Sequence, residues 1–183
     1  SVFIGCQLEH AVFDEARMEK VVVNESVLGE NSFFGATILL SCFTSAKLKN
    51  IDFQGLDLSQ CQFLESEIIA CNFNKAQLLQ GGFMQANLAQ STFDGANLEM
   101  ANFYGADLTG ASFSGALLNK ASMQSAQMTG TNLSRAKMEM AQLADAKITL
   151  CSFSGADLSY ADLSHAVINE SDFSNSNVNM AKM

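Results

Sequence analysis

With 183 residues and 48% apolar content, the chain can build one sizeable core, and the composition argues against disorder. Its formal charge of −9 argues against direct contact with nucleic acid or an anionic membrane surface, both of which call for basic residues. No window of about 18 uninterrupted apolar residues exists, so no membrane span is expected, and the first ten residues lack the basic and apolar regions of a secretion signal.

From the N-terminus onward the chain keeps a five-residue beat. A large apolar residue stands at Phe3, Leu8, Phe13, Met18 and every fifth position to Met183. All 37 of these centres are Phe, Leu, Ile, Val or Met, with no insertion and no change of phase. Two places before each centre stands a small residue, usually Ala, Ser, Cys, Thr or Gly. The early exceptions, Val21, Asn31, Ile51 and Leu56, predict looser coils toward the N-terminus. Four cysteines (Cys6, Cys61, Cys71 and Cys151) occupy the small position as fillers. Cys42 points outward by register and is the candidate reactive thiol. An odd count with no Cys-x-x-Cys pair points to unpaired thiols in a reducing compartment.

The beat is cleanest from Ser91 to Leu118 and runs on to the last residue. All 29 charged residues avoid both the centre and the small position. A buried unpaired charge costs several kcal/mol. Two positions in five therefore face inward and three face outward. Neither a helix of period 3.6 nor a strand of period 2 fits. A corner every five residues does, and nine of twelve glycines sit two places after a centre, at the outward corner where a positive φ is tolerated. Four corners close a square of 20 residues, giving about nine coils and a rod roughly 43 Å long at a spacing of about 4.8 Å. In steps of twenty, one centre column reads Phe13, Phe33, Phe53, Phe73, Phe93 and Phe113; the column opposite holds Phe43 to Phe103. Leu, Ile and Met fill the two between.

Ala96-Asn97-Leu98-Glu99-Met100, Ala106-Asp107-Leu108-Thr109-Gly110 and Ala156-Asp157-Leu158-Ser159-Tyr160 resemble the A(D/N)LXX signature of pentapeptide-repeat proteins. The resemblance covers the whole chain and implies an all-β fold, a right-handed quadrilateral parallel β-helix. It implies a single repeat domain over 1–183 without inserted loops. Because the chain opens on Ser1 in repeat register, it is expected to be part of a longer protein. The family includes bacterial proteins that bind DNA gyrase or topoisomerase IV and blunt quinolones, resembling duplex DNA in size and charge. It also includes parts of secreted effectors. This chain lacks the inserted loops of the quinolone-resistance type and has no helix after its last repeat. A bacterial cytoplasm is the expected compartment, with delivery into a host cell as the alternative.

No catalytic constellation is present. His10 and His165 lie about eight coils apart, and no Ser–His–Asp or HExxH arrangement occurs. No enzyme activity, cofactor or metal site is expected. The functional candidates are outward apolar residues. Leu64, Met84 and Tyr104 recur at one outward position on consecutive coils; Leu40, Met100, Met140 and Tyr160 recur more loosely at another. Met and Tyr are common at partner-binding surfaces. The expected function is a non-catalytic rod that presents such a surface to a protein. The alternatives are a DNA-mimicking type II topoisomerase binder and the repeat domain of a secreted effector. Nine net charges over roughly 43 Å is a sparser line than the one per ~1.7 Å of duplex DNA. Core-type residues Phe3 and Met183 at the two ends suggest flanking domains, end-to-end self-association or a dimer.

Overall fold

The computed structural model describes residues 1–183. Its strands pair in parallel with a register of twenty residues, as in Met18 with Ile38, Leu48 with Ile68 and Ile148 with Ile168. The same step joins Val22 to Cys42, Cys42 to Gln62, and continues to Asp162 with Lys182. Each coil is thus four five-residue sides. They are numbered here by their centres: first (Phe63, Phe83, Phe103), second (Leu48, Ile68, Leu88), third (Phe73, Phe93, Phe113) and fourth (Leu78, Leu98, Leu118).

Eight sides are extended enough to form three-residue strands: β1 (Arg17–Glu19), β2 (Val27–Gly29), β3 (Thr37–Leu39), β4 (Lys47–Lys49), β5 (Glu67–Ile69), β6 (Gln127–Thr129), β7 (Lys147–Thr149) and β8 (Val167–Asn169). They form three parallel sheets, β1–β3, β2–β4–β5 and β6–β7–β8.

The core is a stack of rings and aliphatic side chains. Phe73 and Phe93 lie 4.8 Å apart and within 2° of parallel; Phe63 and Phe83 lie 5.0 Å apart and within 3°. The two Phe columns meet edge to face across the interior, Phe103 and Phe113 at 5.6 Å and 88°. Both geometries are favoured by the ring quadrupole.

The corners explain the rest of the repeat. Every residue two places after a centre, from Gly5 to Met180, has φ between about +47° and +69°, and 27 of these residues are not glycine. None is Val, Ile or Thr, the side chains least able to take a left-handed backbone. At most corners the next small residue donates its N–H to the centre's carbonyl, as Ala96 does to Phe93 at 3.0 Å.

That bond opens at several corners where the coil above places Ser or Cys against it, though beneath Ser66 it stays closed, Ala46 donating to Phe43 at 3.1 Å. Ser41 Oγ accepts the Val21 N–H at 3.1 Å and donates to the Met18 carbonyl at 2.8 Å. Cys61 and Cys151 donate their thiols to Ile38 and Met128 in the same way. Burial pushes the Cys61 thiol up to about 12 and the Cys71 thiol up to about 11. These polar small residues are therefore part of the corner's hydrogen bonding as well as fillers. Of the early exceptions, Val21, Asn31 and Ile51 are buried, while Leu56 is squeezed part-way out. Phe3, Leu8 and Phe13 in the first coil are partly exposed, as are Ile168, Phe173 and Val178 in the last, so this exposure belongs to the ends of the rod; the centres beside Asn31 and Ile51, Phe33 and Phe53, are fully buried.

On the sides outside the paired strands, the N–H of the residue after the centre has no place in the ladder. The Asp or Asn before the centre captures it: Asn97 Oδ1 accepts from Glu99, and Asp107 Oδ1 from Thr109, at 3.2 and 3.0 Å. At some repeats where that residue is neither Asp nor Asn, a side chain one coil back substitutes, as Asn74 does for Asp94 at 2.8 Å. The exposed Asp/Asn of the signature thus caps the backbone, a role the five-residue beat alone did not reveal.

Candidate protein-docking face

The structure brings the two candidate columns to one face. Leu64, Met84 and Tyr104 lie on the first side, one coil apart. Glu65 N–H donates to the Met84 carbonyl at 3.0 Å and Gln85 N–H to the Tyr104 carbonyl at 2.8 Å. Leu40, Met100, Met140 and Tyr160 stand at the corner that leads into this side. Their φ values of +53° to +59° swing the side chains outward along its edge. Met84 is 37% and Tyr104 42% exposed, Leu64 is half-buried, and Tyr160 is 58% exposed. The corner column is not continuous, since Gln60, Gln80 and Lys120 interrupt it.

Between the two columns the face is flat and uncharged. Of its non-corner outward positions, the sixteen from Val2 to Ala144 carry no Asp, Glu, Lys or Arg. The first charge is Asp162, which pairs with Lys182 at 3.6 Å. The sixteen equivalent positions hold six charges on the second side, three on the third and seven on the fourth. The middle of the face is levelled by Gly82, which is fully covered. A Cβ there would lie 2.0 Å from Gln62 Oε1, so the Gln62 amide lies across it. Amides along the edge bond to each other, Gln60 Nε2 donating to Gln80 Oε1 at 3.1 Å. Uncharged amides with exposed Met and Tyr match the composition of interface centres, where charges are depleted.

Exposed apolar residues off this face, not singled out from the sequence, include Val12 and Val167 and two larger ones. Phe34, 78% exposed, stands on the third side beside Gly35, and Leu150, 57% exposed, stands at the corner after the second side. Both fall at outward positions of the beat, which was the available signal. Cys42 is half-buried in the middle column of the first side.

Elsewhere the charges are spread over an open surface, and a few of them pair. A shallow depression of about 420 Å³ on the second side is lined by Glu9, His10, Gly29, Lys47, Lys49 and Glu67 among others. Lys47 and Glu67 pair across it at 3.7 Å, and His10 Nδ1 lies 3.7 Å from Glu30. Backbone and hydroxyl hydrogen bonds from Ser159 hold the Asp157 carboxyl below the usual carboxylate range, and Ser174 does the same for Asp172.

The family model described as pentapeptide repeats matches eight copies, over residues 41–78, 83–119, 111–149, 136–175 and 151–183. The chain belongs to the pentapeptide-repeat family. Among solved pentapeptide-repeat structures, it is similar to HetL, a protein involved in heterocyst differentiation regulation in Nostoc sp. strain PCC 7120. Identity is 22% over 98% of this chain and 88% of that one, with a TM-score of 0.35. A protein from the thylakoid lumen of Arabidopsis thaliana is 30% identical over 52% of this chain and 63% of its own, with a TM-score of 0.42. QnrB1, a plasmid-mediated fluoroquinolone resistance protein, is 16% identical over 93% of this chain and 90% of its own, with a TM-score of 0.43. No curated protein matches the chain in sequence.

In a pentapeptide-repeat chain the centre and the small residue are committed to the interior, and the Asp or Asn to the backbone. Selectivity for a partner is left to the two residues after the centre and to whatever stands where Asp or Asn does not. Met84, Met100, Tyr104, Met140 and Tyr160 all occupy those free positions. No helix of the structure is long and apolar enough to cross a membrane.

Proposed function

We propose that the protein is a non-catalytic rod whose first side docks another protein. The observation that supports this is the run of sixteen uncharged outward positions on the first side, which contains the Leu64–Met84–Tyr104 stripe and is bordered by the Leu40–Met100–Met140–Tyr160 edge. A face without charge loses little on desolvation, and exposed Met and Tyr supply contact area. The opposite expectation, a solvated surface, holds for the other three sides, where paired and interspersed charges keep the rod soluble. The test is affinity capture with wild type, with Met84→Lys/Tyr104→Lys, and with Thr109→Lys on the second side. A partner retained by wild type and Thr109→Lys but lost by the double variant supports the reading. Equal capture by all three removes the first side from consideration.

A second reading, the topoisomerase-binding DNA mimic, has the net charge of −9 on a rod in its favour. Ten basic residues interspersed among nineteen acidic ones weaken it. A gyrase supercoiling assay with and without quinolone separates the two. No effect at micromolar protein rules out mimicry.

A further inference from the structure

We propose that the first side is a homodimer face, two copies packing antiparallel about a dyad between the coils of Met84 and Tyr104. The inference rests on the docking role given to this side and names its occupant as a second copy of the chain.

Charge selects the occupant. Two copies at −9 repel, and acids recur along the flats of the other three sides. Only the first side can meet its own copy without pressing charge against charge over most of the length. An isologous contact needs a self-complementary patch. Taken antiparallel, with the dyad midway between the Met84 and Tyr104 coils, the face is self-complementary. Met84 falls opposite Tyr104, and Met140 opposite Leu40. At the charged margins Glu65 falls opposite Ser125, Asp145 opposite Ser45, and Lys120 opposite Gln60. Glu25 falls opposite His165. No charge meets its like. Moving the dyad half a coil spacing in either direction sets Asp145 against Glu65 or against Glu25, and moving it a whole coil separates Met84 from Tyr104. A parallel arrangement loses the pairing of Met84 with Tyr104.

Area sets the strength. Eight coils at about 4.8 Å and a width of about 16 Å give on the order of 600 Å² per copy, at the low end of specific interfaces. A dimer with a Kd on the order of micromolar is expected, favoured by salt that screens the net repulsion.

The native Cys42 tests the register. In this dimer Cys42 falls opposite Gln142 of the second copy, whereas within one chain the two positions are five coils, about 24 Å, apart. In a Cys6→Ser background, Gln142→Cys treated with a short bis-maleimide should give a covalent dimer. Cys6→Ser alone and Cys6→Ser/Thr109→Cys should not. Sedimentation velocity of the wild type should show a concentration-dependent dimer that strengthens with salt, and Met84→Lys/Tyr104→Lys should raise its Kd at least tenfold with an unchanged circular dichroism spectrum. A covalent dimer from Cys6→Ser alone would set Cys42 against Cys42 and overturn the antiparallel register. A wild type that stays monomeric at all concentrations and salts would overturn the dimer itself. The capture experiment above would then still decide whether the face serves a different protein.

Discussion

Ser91 stands inside a corner that belongs to Cys71, one coil below it. Its hydroxyl accepts the Cys71 N–H at 3.1 Å and donates to the Ile68 carbonyl at 2.9 Å, bridging the bond that closes other corners directly. Ala96 shows the alternative: beneath it, Ala76 donates straight to the Phe73 carbonyl at 3.0 Å. Ser91→Ala should therefore let the corner close on itself, at a cost below about 1 kcal/mol. Ser91→Val offers neither hydroxyl nor room. It should leave two buried backbone groups unpaired, at about 1–3 kcal/mol each. Urea unfolding of the two variants reads the difference.

Left-handed corners predict opposite signs at one position. Leu150 has φ +55° with its side chain 57% exposed, so its size contributes little packing. Leu150→Gly relieves the backbone and should stabilise by up to about 1 kcal/mol. Leu150→Val puts a β-branched side chain where it is a steric outlier and should destabilise by at least that much. Thermal unfolding midpoints of the pair should fall on opposite sides of wild type.

These corners mark how far the sequence could be read. The inward positions were legible because burial forbids charge, and Phe93 or Ala96 can be placed from that rule alone. The corner positions were legible where glycine stood; the absence of Val, Ile and Thr at the others gains its meaning from their positive φ. The role of Asp107 was not legible, because an exposed carboxylate looks the same in sequence whether it caps a backbone N–H or only meets water. The candidate face was half legible. Tyr104 and Met100 were found as separate columns. That they border one uncharged side lies in the fold, where the corner of Met100 leads into the side of Tyr104 with Asn102 between them.

The Asp107 cap itself is testable. Its Oδ1 accepts both the N–H and the hydroxyl of Thr109, at 3.0 and 2.6 Å. Asp107→Asn keeps that oxygen and should be close to neutral. Asp107→Ala should cost about 0.5–1.5 kcal/mol, the usual value of one such bond. Equal destabilisation by both variants would mean that the charge, rather than the acceptor, matters.

Alkali should unfold the rod through its buried thiols. Cys61 and Cys71 are raised from 9.0 to about 12 and about 11 by burial, so the folded chain holds protons that the unfolded chain releases. Their contribution is complete below pH 9 and is lost as pH rises toward 12. Cys61→Ala/Cys71→Ala should flatten the fall in stability between those values. It should not change stability near pH 7 by more than small packing losses. The same burial predicts that a thiol reagent at pH 8 labels Cys42 in the native protein and leaves Cys61 and Cys71 untouched.

The heaviest single dependence is on the Phe ladder. Phe93 stacks on Phe73 and Phe113 at 4.8 Å each and meets Phe83 and Phe103 edge to face at 5.9 and 6.4 Å. It is fully buried. Removing the ring breaks two stacks and two edge contacts and leaves a cavity in the middle of the rod, so Phe93→Ala should cost about 3–5 kcal/mol. Phe93→Leu refills part of that space with a side chain the same column already uses at Leu133, and should cost clearly less. Phe93→Asp adds an unpaired buried charge and should unfold the central coils outright. Because each coil contacts only its neighbours, the loss should begin locally. Hydrogen exchange of Phe93→Ala should speed first in the coils from Phe73 to Phe113, while the coils near Leu158 keep their protection. Uniform loss of protection along the whole rod would show that the solenoid unfolds as one unit.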